Sequence, residues 1–268
     1  MPDPITLAVA TAVVSKSVEK LWDIYGHWLT EVFGSHSAEA QQEARTNTTQ
    51  FIQELAIRID VGENVQPASE RIISLGATHP QFSYLLQKSI LNAAKTDDRQ
   101  KHALLAQLIA DRLATQPNTT FSLASEMVSD AITLSTPHQL KLMAICGFLE
   151  DLRPRDPLPI AGYRLWLKSF LAPFSDFEFR IFDARHLVAI GCASFDRQSS
   201  RDLDTLLQMK GGLHCIGSTF TDTDELLYLQ SAWIEGLAGV QLTSVGLIVG
   251  CLALDQFLGI NSGLPDWD

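Results

Sequence analysis

The chain has 268 residues, of which 46% are hydrophobic and 19% charged, and its formal net charge is −11. That balance excludes a disordered chain, which would carry less apolar and more charged side chain. With no dense Lys/Arg cluster it also excludes a dedicated nucleic-acid surface, because phosphate neutralisation dominates that kind of affinity. The length allows one large core or two smaller ones.

From Ile5 to Phe33 the apolar positions Val14, Val18, Leu21, Tyr25, Trp28 and Val32 recur at spacings of four and three, with Lys16, Glu19, Lys20, Asp23, His27 and Glu31 on other faces. This predicts an amphipathic helix with a heptad-like seam, ended by Gly34. Its first residues lack the positive charge and length of a secretory signal or a membrane span. The next stretch, Ser37 to Asp60, is polar through Thr49 and then gains Phe51, Ile52, Leu55 and Ile59 on one side. Its first half is expected as a solvated helix or a mobile linker.

Pro67 and Pro80 stand where helices begin, each followed by periodic apolar residues. Thr96 with Asp97 and Asp98 opens a further helix through Leu104, Leu105, Leu108, Ile109 and Leu113, and Phe121 to Leu134 carries a weaker helical pattern. Thr136 before Pro137 opens another helix, through Leu140, Met143, Ala144 and Phe148. The tract Asp151 to Pro159, DLRPRDPLP, holds three prolines and cannot continue a helix, so a domain boundary is expected there.

Beyond it the pattern is mixed. Phe177, Phe179 and Ile181 alternate with Glu178 and Arg180 as a half-buried strand would, and His186 to Phe195 suits either strand or helix. Glycines 211, 212 and 217 mark a turn; Lys210 precedes them rather than following, so GGLHCIG is not a phosphate-binding loop. Asp224 to Ile234 reads as helix, Val240 to Leu242 as a short strand, and Thr243 as the cap of a last helix ended by Gly259. The expected fold is mainly α. It comprises an amphipathic helix at 1–34, a helical domain at 35–150 and a smaller α+β part at 151–268, whose strand-to-helix step resembles the wing and closing helix of winged-helix domains.

Four dispersed cysteines, Cys146, Cys192, Cys215 and Cys251, lack any CxxC pair and read as reduced, buried thiols of a cytoplasmic protein. The densest reactive collection is Asp183, His186, Cys192 and Asp196. Cys192 as nucleophile would need His186 within reach and Asp183 to orient it, and the spacing matches no such motif, so these three are weak catalytic candidates. A zinc site from His186, Cys192, His214 and Cys215 lacks paired ligands; no metal and no cofactor are expected. The expectation is a non-enzymatic protein that self-associates or binds a partner protein through Val18, Leu21, Trp22, Tyr25, Trp28 and Val32. The alternative is a bacterial stress or phage-defence effector whose N-terminal helix acts on membranes. It rests on Trp22, Tyr25 and Trp28 and on a likeness to helical abortive-infection proteins, against the lack of a basic face.

His79-Pro80-Gln81-Phe82, Asp97-Asp98, Asp111-Arg112, the Thr136 to Leu140 helix start, Gly191-Cys192 after His186-Leu187, and Leu242-Thr243-Ser244-Val245-Gly246 follow one another along the chain. In that order they resemble an uncharacterised bacterial family labelled by the prefixes LPO and Vpar. The resemblance implies a helical body followed by a mixed C-terminal part and carries no activity across.

Overall fold

A computed structural model describes residues 26–60, 72, 74, 76, 78–116, 119–196, 201–221 and 226–260. The expected helix start at Pro67 lies outside them. Among the described residues the protein is mainly α-helical, with one small antiparallel pair of strands. Its contacts divide it into two compact units, residues 1–133 (with 267–268) and residues 134–266.

In the first unit, helix α1 covers 26–33 and stops where the Gly34 amide bonds the Thr30 carbonyl at 2.9 Å. Helix α2, Ala38–Asp60, is continuous, so no linker interrupts its polar first half. The reason is visible at Ala44, Asn47 and Thr48, which are buried and extend the apolar stripe of Phe51, Ile52, Leu55, Ala56 and Ile59 backwards by two turns. That stripe packs on α3 (Pro80–Ala94) and α4 (Arg99–Ala114). Each large side chain buried there, such as Phe51 or Leu55, stabilises the fold by about 1.5–3 kcal/mol.

Asp98 is the residue that caps α4, accepting from the Gln100 amide at 2.8 Å, while Thr96 accepts from the Asp98 amide. The buried His102 closes the α3–α4 turn, its Nε2 lying 3.1 Å from the Ala93 carbonyl and 2.8 Å from that of Thr96. Helix α5, Thr120–Leu134, joins α3 through a buried polar knot in which Ser129 Oγ meets Ser89 Oγ at 3.1 Å and accepts from Asn92 Nδ2 at 3.2 Å.

The second unit is built on helices α6 (Pro137–Glu150) and α11 (Ser244–Leu258). Over their central turns both are apolar all round rather than amphipathic, as helices covered on every side must be. In α6 every residue from Leu142 to Leu149 is buried, and in α11 every residue from Ile248 to Leu254. Their backbones pass closely at Gly250, where a Cβ would lie 2.5 Å from the Met143 carbonyl oxygen; a Cβ on Gly246 would overlap the Cys192 carbonyl, which lies outside α6. Thr136 caps α6 in a reciprocal capping box with Gln139. Thr243 caps α11, and Gly259 ends it with φ of +63°.

Helix α7 (Ile160–Leu171) leads to the segment 177–180, then to α8 (Ile181–Ala189). The alternation at 177–180 is real, with Phe177 and Phe179 buried and Glu178 and Arg180 exposed, yet the segment is extended chain without a strand partner and passes into helix at Ile181. The 186–195 stretch resolves into both options, the end of α8 and then β1 (Ala193–Phe195). After α9 (Leu203–Gly211) and α10 (Leu227–Glu235), β2 (Val240–Leu242) pairs antiparallel with β1, Ala193 opposite Leu242. The partner of β2 is therefore a distant strand, not the near arm of a hairpin wing.

The units part between Thr133 and Leu134, and DLRPRDPLP lies inside the second. The prolines end α6 as expected, but α6 itself belongs with α11, which the chain supplies only after residue 243.

Candidate functional site

The candidate interaction face falls on α1. Val18, Leu21, Trp22 and Tyr25 lie outside the described residues, which leaves Trp28 and Val32. Val32 is 43% exposed, Trp28 is half-buried with its ring 5.2 Å from that of His27, and among the described residues of this helix the buried one is Leu29, at 4%. The core of the unit thus takes the position beside the seam and leaves Val32 in solvent.

The three catalytic candidates separate. Asp183, in the first turn of α8, is held from α6: its Oδ2 lies 2.9 Å from His138 Nδ1, and its Oδ1 accepts from Gln139 Nε2 at 2.9 Å. His186 sets its Nε2 3.2 Å from the Leu134 carbonyl. Cys192 is fully buried, and burial pushes its thiol up to about 11, away from the thiolate a nucleophile needs. Its backbone is engaged on both sides, the amide with Leu187 and the carbonyl with the Thr243 amide. This is the setting of a packed structural thiol. Cys251 is likewise pushed up to about 12 and Cys146 upward, both chiefly by burial. Among the described residues no three His, Cys, Asp or Glu side chains gather as a metal site would require.

His138, which the sequence did not single out, is the centre of the polar cluster that does form. Its ring stacks on Phe177 with centroids 5.0 Å apart and planes 14° from parallel. One turn on, Lys141 bonds Asp176 at 2.7 Å. Gln139 serves twice, accepting from the Thr136 amide at the helix cap and donating to Asp183. His138 Nε2 is buried without a partner among the described residues. The cluster fastens the 174–183 segment to the start of α6, and its only sequence signal is the run Pro137-His138-Gln139-Leu140-Lys141, which places His138 and Lys141 on one face of a helix.

The GGLHCIG run is a turn, as expected. Gly212 and Gly217 adopt φ of +80° and +78°, and a single 3₁₀ turn at Leu213–Cys215 separates them. Among the described residues no helix is long and apolar enough to cross a membrane.

A family model with the description ":-like" matches residues 15–227. No curated protein and no solved structure matches the chain.

Proposed function

The chain belongs to this uncharacterised family, and on that premise we propose that it is a non-enzymatic cytoplasmic protein of bacteria. It acts by protein–protein contact, associating with its own kind or with a partner protein through the outer face of its N-terminal helix. The observation that carries the reading is the arrangement on α1, where Leu29 is spent on the core while Val32 stays exposed. An apolar side chain at a seam position that its own fold leaves uncovered is what a helix partner covers. The acidic balance turns the protein away from nucleic acid.

Light scattering on the full chain, on Val32→Asp and on a chain shortened by residues 1–34 tests it. The full chain should associate at tens of micromolar, or retain a partner on pull-down, and both altered chains should lose that association. Three monomers with nothing retained would remove the proposal. Leakage of liposomes by the full chain, abolished in Trp28→Asp, would instead favour the phage-defence reading, in which the half-buried Trp28 enters a lipid interface.

A further inference from the structure

In the second unit a cavity of about 420 Å³ opens between the end of α6 and the outer side of α9. Its apolar lining comes from Leu149, Leu206 and Met209, the last 71% exposed at the mouth. Its charged lining is uneven once each group is followed to its partner. Asp202 is occupied at the start of α9, accepting from the Thr205 amide at 2.7 Å. Glu150 is occupied by Arg201, 3.8 Å away, and by the Leu242 amide. Arg201 is in turn anchored, donating to the Ala238 carbonyl at 2.8 Å and the Val240 carbonyl at 2.6 Å, with its guanidinium 5.3 Å from the Trp233 ring.

Two cations remain. Lys210, only 6% exposed, gives one N–H to the Leu152 carbonyl and sits 5.4 Å from the Phe148 ring centre; Asp151 and Glu150 act on its ammonium through space rather than by direct contact. Arg153 is exposed at the rim, with no partner for its guanidinium among the described residues. A buried ammonium close to a second cation is a costly arrangement that an incoming anion relieves. The volume falls in the range of small-molecule sites, roughly 300–1,000 Å³.

We propose that this cavity binds a small amphiphilic carboxylate, its carboxylate held between Arg153 and Lys210 and its aliphatic body laid on Leu149, Leu206 and Met209. Burial first, and Arg153 second, push the Lys210 ammonium down to about 8, outweighing the opposite pull of Asp151 and Glu150. The guanidinium at the rim offers two parallel N–H groups to a planar carboxylate, while the ammonium below it donates from within. This inference stands apart from the α1 face and survives the failure of that reading.

Octanoate is the probe, titrated by calorimetry into the full chain, with octanol and inorganic phosphate as comparisons. Saturable binding of octanoate is expected, with octanol and phosphate each at least tenfold weaker. Arg153→Glu, at an exposed position where folding is not at stake, should weaken octanoate at least tenfold. Leu206→Asp should do the same while thermal melting shows the chain still folded. Equal affinity for octanol overturns the charge pairing, and equal affinity for phosphate overturns the apolar bed. Absence of saturable octanoate binding, or an unchanged affinity in Arg153→Glu, overturns the site itself.

Discussion

Lys210 shows how far a single residue's role depends on surroundings that the sequence does not display. In sequence it is the residue before a glycine turn. In the fold it is a buried ammonium whose proton is held loosely. An amine with a folded pKa near 8, against its ordinary 10.5, binds fewer protons folded than unfolded between those values. Its contribution to stability therefore rises with pH through that window and is constant at its lowest level below it. Urea melts at about pH 7 and about pH 10 should find wild type gaining stability relative to Lys210→Met as pH rises. A difference that stays flat would show that the amine titrates normally. Asp183 gives the complementary lesson: its chemical type was legible, but its partner His138 lies 45 positions away and was not. Sequence spacing placed His186 and Cys192 beside it; the fold gave those residues other neighbours.

At the level of elements, the helix ends were the most readable part of the chain, because capping is local. Thr136 and Thr243 cap as their letters imply, and Gly259 stops α11 in the left-handed region. What could not be read was which helices would be central. Helices α6 and α11 show little amphipathic pattern because they are covered all round, and such a pattern names no partner. Their crossing makes an asymmetric expectation about two glycines. A methyl group at Gly250 meets the Met143 carbonyl at 2.5 Å, and backbone there cannot move aside without shifting the helix. At Gly147 it meets Gly250 at an ordinary 3.5 Å. Gly250→Ala should therefore cost about 1–3 kcal/mol in a urea melt. Gly147→Ala should be neutral or raise stability by up to about 1 kcal/mol through better helix propensity. Equal effects would mean that the two helices can slide to accommodate a methyl at either place.

Across the whole molecule, the division after Thr133 sets where the chain can be separated. The proline tract is a strong local signal, but prolines report only that a helix stops, not which core it belongs to. Residues 134–268 should melt cooperatively with a strongly helical circular dichroism spectrum, because α6 and α11 stay together. Residues 151–268 lack α6, leave α11 without its main neighbour, and should not melt cooperatively. Comparable cooperative melting of both pieces would place the boundary at the prolines after all. The pairing of α6 with α11 also orders events during synthesis. The helix that opens the second unit leaves the ribosome with its apolar surface uncovered and stays so for the hundred or so residues that separate it from its partner, a loop whose closure is entropically expensive. The first unit has all the helices it packs by then and can be in place, whereas the second is exposed to chaperones and to misassociation until its final helix emerges.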